Sequence, residues 1–409
     1  MTDPESGALT GFRVLDMSRI LAGPWAGQML ADLGADVIKV ERPGQGDDTR
    51  HWGPPFFEDD SEGGHERVAA YFHGANRGKR SIAVDITSEQ GQELIRGLVA
   101  ESDVLIENYK VDGLKKYGLD YDSLKAVNPR LVYCSITGFG QTGPYRERAG
   151  YDFMIQGMGG LMSVTGEAEG MPMKTGVALV DVMTGLYASN AIQAALLYRY
   201  SSGKGQYIDM SLLDVQVATM ANQAMNYLTT GVSPGRLGNS HPNIVPYQAF
   251  PTQDSHIILA VGNDGQFERF CAVAGCQHLF KDERYQTNQS RVANRKTLIP
   301  ILNDILVQKT SDWWLSSFEK VSVPCGPINT LEQVFSDKQV NARELQRTLH
   351  HPTLGDLPTV ANPIRFSETE IKYDRASPSL GDSTVEILKS DLGMSDDDIG
   401  KLQQLGVVE

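Results

Sequence analysis

Short, continuously apolar runs separated by amphipathic helical patterns are what most limits the folds open to this chain. Arg13-Val-Leu-Asp-Met17, Asp36-Val-Ile-Lys-Val40, Ser81-Ile-Ala-Val-Asp85, Asp103-Val-Leu-Ile-Glu107 and Arg130-Leu-Val-Tyr-Cys-Ser-Ile136 each read as a strand. The segment AGPWAGQMLADLGA between the first two reads as a helix with Pro24 near its first turn. SEQGQELIRGLVAES is a second helix, for which Thr87 or Ser88 is the natural cap. Strands without polar alternation, each followed by a helix, predict an α/β fold: a parallel sheet covered on both faces. In such sheets ligands bind beyond the carboxyl ends of the strands. Ser18–Pro24, Arg42–Asp48, Asn108–Gly113 and Gly138–Tyr151 occupy that position.

The pattern changes after Asp214. VQVATMANQAMNYLTTG is a Met- and Ala-rich helical stretch whose methionines read as packing residues. His256-Ile-Ile-Leu-Ala-Val261 is a strand that ends in GNDG and runs into the helix QFERFCAVAG. The expected organisation is a large Rossmann-like domain over 1–220, a smaller α+β domain over 221–335, and a return to the large domain over 336–409.

At 409 residues the chain is long enough for two or three domains. Its net charge of −14 argues against nucleic acid or an anionic membrane as partner, since both require clustered cations. A local basic pocket for a small anion remains compatible with it. No apolar run approaches the ~20 residues that span a bilayer, and the start MTDPESGALTG has neither a secretory nor a transit profile. The expected compartment is the cytoplasm. Cys134, Cys271, Cys276 and Cys325 form no CxxC pair, so free thiols are expected rather than a disulfide framework or zinc site. The eight histidines show no ligand spacing, and no metal is expected. AGPWAG is not a dinucleotide fingerprint, so no nicotinamide is expected either.

Asp181 ends the apolar, strand-like run Val177-Ala-Leu-Val180, just before a small-residue helical pattern. A carboxylate in that setting has two uses. It caps the helix, or it is a reactive group kept from water until a substrate arrives. The blocks around it bear on the choice: LAGPWAGQMLADLGADVIKVERPG, NRGKRSIAVDI, DVLIENY, SITGFGQTGPYRERAGYD, GVALVDVMTG and VPCGPIN recur in order. Together they resemble the family III CoA-transferases, a family that also contains the 2-methylacyl-CoA racemases. The resemblance runs from about Leu9 to the terminal LGVVE.

The resemblance implies an enzyme acting on acyl-CoA and carboxylic acids, and an interlocked homodimer in which each chain threads the ring of the other. It matches Asp181 to the family's catalytic aspartate. Tyr151 and Asp152 would line the acyl pocket with Leu21. Gly262 and Gly265 of GNDG would belong to a glycine-rich loop covering the aspartate, although such sequences are also plain turns. For coenzyme A, Arg42, Lys116 and Tyr117 would flank the adenine and phosphates. Val84, Asp85, Ile86 and Thr87 would supply main-chain contacts, as would Asn108, Tyr109 and Lys110, with amide contacts from the same loop. Ile20 and Ala22 would lie near the thioester, and Arg148 stands beside the position where one branch carries a lysine. Solvated surface charge is the alternative for Arg42 and Lys116.

Within the family, VIKVERPGQGDDTRHWGPPF, IVPYQAF and GPINTLEQVF are similar to the branch that works on dicarboxylic acids including glutarate. A dicarboxylate leaves one carboxylate free in the pocket, and a buried charge needs a partner. Arg50, Arg77 and Arg236 are the candidates by loop position. Two other activities stay open. A 2-methylacyl-CoA racemase needs a base where this chain has Tyr151, and a phenol with an ordinary pKa near 10 is a poor one. A formyl- or acetyl-CoA:oxalate transferase carries glutamine where this chain has Leu21, and a glycine-only lid where it has GNDG. A binding protein that keeps the scaffold without chemistry is the third possibility.

Overall fold

The computed structural model describes residues 6–59 and 66–409. It divides into two compact units: Met1–Gly160 with Thr175–Ala221 and Gln339–Glu409, and Leu161–Lys174 with Asn222–Lys338. The stretch expected as an unbroken first segment over 1–220 is thus interrupted, because Leu161–Lys174 groups with the smaller unit.

The larger unit contains β1 (Arg13–Asp16), β2 (Asp36–Glu41), β3 (Phe56–Glu58), β4 (Arg67–Ala69), β5 (Lys79–Ala83), β6 (Val104–Glu107), β7 (Val132–Thr137) and β8 (Tyr207–Ser211). All but β3 and β4, which pair with each other, form a six-stranded sheet in the order β5-β2-β1-β6-β7-β8. Every neighbouring pair is parallel. Leu15 at the centre stands opposite Ile38 on one side and Leu105 on the other.

The apolar runs are continuous because both faces are covered. Leu15, Ile38, Ile82 and Leu105 face one core with the helix Glu89–Ala100, which contributes Leu94, Ile95, Leu98 and Val99. Ser88 is its cap, its Oγ accepting from the Gly91 N–H at 3.0 Å. Val14, Val37, Val104 and Ile106 face the opposite core with the helices Ala22–Asp32 and Leu179–Ser202. Each such side chain, fully buried, contributes about 1.5–3 kcal/mol relative to exposure. The two helices approach closely at Gly185: a Cβ there would stand 2.7 Å from the Ala22 carbonyl oxygen and 2.9 Å from the Trp25 Cβ.

The C-terminal segment completes the first of these cores. After a hairpin of Gln346–His351 and Gly355–Val360, the helices Thr384–Ser390 and Asp396–Gln404 bring in Ile387, Leu388, Ile399 and Leu402. Val408 then bridges Val84 at the end of β5.

The smaller unit holds a three-stranded antiparallel sheet of Tyr247–Pro251, His256–Ala260 and Cys325–Pro327, with His256–Ala260 in the middle. Helices including Asp264–Val273, Arg295–Leu306 and Ser311–Glu319 cover it, packing Phe250, Phe267, Phe270, Trp314 and Phe318. All four cysteines are free, and Cys134, Cys271 and Cys276 are buried. Among the described residues no helix is long and apolar enough to cross a membrane.

Candidate active site

The strand order reverses between β1 and β6, since β2 and β5 lie to one side and β7 and β8 to the other. Loops after the two central strands therefore diverge and leave a crevice at the carboxyl end of the sheet. A cavity of about 940 Å³ occupies that end, within the larger unit. Its lining includes Ile20, Leu21 and Ala22 after β1, Arg42 after β2, Val84–Thr87 after β5, Asn108–Lys110, Lys116 and Tyr117 after β6, and Arg148, Tyr151 and Asp181. Residues far apart in sequence, from Ile20 to Asp181, thus converge on one volume.

Asp181 stands in the first turn of the helix Leu179–Ser202. The apolar run before it is not a strand: Leu179 and Val180 are already helical. Four apolar residues suit either structure, and the 24-residue helix that follows decides. The helix has no cap from its own N-cap residue, Ala178. Asp152 does that work from 28 residues upstream, its Oδ1 accepting from the Val180 N–H at 2.8 Å and the Asp181 N–H at 3.3 Å. Its Oδ2 accepts from the Gln156 side chain at 2.7 Å. Asp152 is accordingly a capping residue, with both carboxylate oxygens engaged, rather than part of the pocket wall.

That arrangement leaves the Asp181 carboxylate unengaged, and no hydrogen bond to it is found among the described residues. Burial, and then the charge of Asp152, push its pKa up from the ordinary 3.8 to about 7. A carboxylate raised this way is a stronger nucleophile once ionised, and it is partly protonated at neutral pH. Of its two sequence-level uses, the helix cap is already supplied by another residue.

The cations sort by their partners. Arg42 donates to Gln45 at 3.0 Å, and the Lys116 ammonium lies 4.5 Å from the Tyr117 ring centre. Both are exposed at the cavity. Arg148, also exposed, stacks 4.7 Å from Tyr145 and 5.3 Å from Phe139, with no carboxylate partner among the described residues. Tyr151 is 61% exposed.

The three arginines named as candidates for a substrate carboxylate are committed elsewhere. Arg50 forks onto Glu41 at 2.7 and 2.8 Å, donates to the Pro378 carbonyl, and stacks on Phe72. Arg77 forks onto Asp32 at 2.6 and 2.8 Å and ties in the Val360 carbonyl. Arg236, in the smaller unit, donates to the carbonyls of Glu167, Ala168 and Gly170. None of the three lines the cavity. Position after a strand does not reveal a partner far away in sequence.

Two further expectations change in detail. The Asn108 amide is spent on the neighbouring loop, accepting from the Arg19 N–H at 2.9 Å and donating to the Arg19 carbonyl at 2.7 Å. Gly262 and Gly265 lie in the smaller unit. There Asn263 caps the helix Asp264–Val273, so Gly265 is helical rather than part of an open glycine loop.

Sequence reasoning missed the residues beneath the loops. Lys39 and Asp47 pair at 2.9 Å, each 0% exposed. Glu107 is buried, accepts from the Tyr109 N–H at 2.7 Å, and is pushed up to about 7 by burial. A lysine in the middle of the strand pattern DVIKVE was the available signal, because a charge on a doubly covered strand requires a buried partner.

A family model described as CoA-transferase family III matches residues 9–384. The chain is a family III CoA-transferase. It is 54% identical over 380 residues to a succinate–glutarate CoA-transferase of Agrobacterium fabrum, covering 93% of this chain and 94% of that one. It is 44% identical over 401 residues to the human succinyl-CoA:glutarate CoA-transferase, covering 98% and 90%. A crystal structure of a CAIB/BAIF family protein from Brucella suis superposes with a TM-score of 0.83 at 54% identity, covering 95% of this chain and all of that one.

Proposed function

We propose that this CoA-transferase moves CoA from a short dicarboxyl-CoA such as succinyl-CoA to a glutarate-like dicarboxylic acid, with Asp181 as the nucleophile. The reading is supported by relatives named for succinate and glutarate. The observation that carries it is the unengaged, desolvated carboxylate of Asp181 in the same cavity as the loops assigned to CoA.

The Asp181 carboxylate attacks the donor thioester carbonyl, the C–S bond breaks, and CoA leaves as thiolate with an aspartyl–acyl anhydride behind it. The thiolate then attacks the aspartyl carbonyl. Donor acid departs as carboxylate, leaving an aspartyl-CoA thioester. The acceptor carboxylate repeats both steps in reverse and regenerates Asp181. An anhydride is at least as reactive as a thioester, so neither direction stalls on a stable intermediate. Water must be kept out, since each intermediate hydrolyses.

We assign the acceptor's free carboxylate to Arg148. Of the cavity arginines it is one without a carboxylate partner among the described residues, and only four positions separate it from Asp152, which hydrogen-bonds the Asp181 amide. A charge-assisted fork is worth ~1.5–3 kcal/mol. Arg148→Met should therefore lower kcat/KM for glutarate by about 10- to 100-fold and leave a monocarboxylic acceptor nearly unaffected. An exchange assay across mono- and dicarboxylic acids reads this directly. Equal wild-type rates with acetate and glutarate would reject dicarboxylate selectivity, and deuterium wash-in at the α-carbon without any acceptor would favour a racemase.

A homodimer is the proposed assembly, and it would be interlocked as the resemblance implies. The helix Leu179–Ser202 supports a covered face, because Leu197 and Tyr200 on it are 75% and 94% exposed. We place the reaction in the cytoplasm, with neither nucleic acid nor membrane as partner.

A further inference from the structure

Ile20 has a backbone φ of +72°. That left-handed conformation is an outlier for a β-branched residue and survives only where the surroundings impose it. Here they do so in detail. The Ile20 N–H donates to both carboxylate oxygens of Asp47, each at 3.2 Å. Asp47 is fixed by Lys39, whose ammonium also donates to the Ser18 carbonyl at 2.9 Å. Asn108 holds the N–H and carbonyl of Arg19 between them. Lys79 donates to the Pro24 carbonyl at 2.9 Å on the far side of the turn. The buried charges of Lys39, Asp47 and Lys79, with the half-buried Asn108 amide, thus grip the backbone from Ser18 to Pro24 on both sides of Ile20. The gripped turn, Ile20–Ala22, lines the cavity that contains Asp181.

We propose that Asp47 is a positioning residue that forces Ile20 into its left-handed conformation, so that the turn Ile20–Ala22 is preorganised for the CoA ligand before it arrives. The inference rests on the CoA-transferase reading of the cavity. A turn held in one geometry loses little freedom when the ligand binds, so affinity is gained at the expense of conformational strain. Glycine at position 20 adopts φ > 0 without penalty, and it also lets the turn leave that geometry.

The test compares the full-length wild type with Ile20→Gly, Ile20→Ala and Asp47→Asn, and with the I20G/D47N double variant. CoA affinity is measured by calorimetry with CoA alone, and thermal midpoints are measured on the same samples. I20G is expected to melt at or slightly above the wild-type temperature while binding CoA roughly 5- to 50-fold more weakly. I20A, which still resists φ > 0 and stays gripped by Asp47, should lose clearly less CoA affinity than I20G, so that the difference between the two reads the backbone and not the side chain. D47N should weaken CoA binding less in the I20G background than in the wild type, because the two changes release the same turn. Wild-type affinity in I20G overturns the proposal. So does an equal loss in I20A, which would assign the effect to side-chain contact, and so does full additivity in the double variant. A chain that binds CoA but passes none to glutarate would sink the transferase reading and leave this affinity comparison intact.

Discussion

Replacing Asp181 by alanine or asparagine is expected to reduce CoA transfer from succinyl-CoA to glutarate by at least about a thousandfold, because the acyl chain loses its carrier. The same replacement should make the protein more stable at neutral pH. The sign follows from the carboxyl's pKa, raised from 3.8 to about 7 by burial and then by Asp152. A raised folded-state pKa means that ionisation is harder in the native state than in the unfolded chain. The penalty is absent below about pH 4, grows between the two pKa values, and is complete above about pH 7. The side chain opens onto a cavity, which tempers the penalty, and Asp181→Asn should gain about 1–3 kcal/mol at pH 8 and nothing at pH 4. Paired denaturant titrations at the two pH values measure it. In the wild type, kcat/KM should fall about tenfold per pH unit below 7, as the nucleophile protonates. A variant that lost activity and stability together would mark Asp181 as a structural residue.

The largest stability loss is expected at the pair Asp32–Arg77. Both side chains are buried, and the fork is reinforced by Asn362, whose amide donates to Asp32 at 2.9 Å, and by Arg77 donating to the Val360 carbonyl. Burial still outweighs these partners and holds the Asp32 carboxyl above its ordinary pKa. Removing one member strands the other charge away from water. Asp32→Ala should therefore cost about 3–5 kcal/mol and loosen the C-terminal return from the helix Ala22–Asp32. Arg77→Lys keeps the charge, loses the fork, and should be destabilised to a lesser degree while its KM for glutarate stays at the wild-type value. A raised glutarate KM at undiminished stability would restore Arg77 to the substrate site.

What could be read in the sequence depended on how local the physics was. The parallel sheet was legible because its strands are apolar without alternation, and Ser88 was legible because a cap and its helix are adjacent. The converging loops were legible from their position after strands. The roles of Arg50 and Arg77 were not, because their carboxylates belong to other elements: nine residues away for Glu41 and 45 for Asp32. Asp152 looked like a pocket residue since nothing in its neighbourhood reveals that it caps a helix 28 positions on. The strained Ile20 leaves no sequence trace at all, as left-handed turns ordinarily announce themselves by glycine or asparagine.

One experiment bears on the nucleophile most directly: mass spectrometry of the intact chain and its peptides after incubation with succinyl-CoA and trapping with hydroxylamine. A hydroxamate on the peptide containing Asp181, absent from Asp181→Asn, is the result expected of covalent loading at that side chain. Robust transfer to glutarate with Asp181 unmodified, or an adduct confined to another residue, would contradict it.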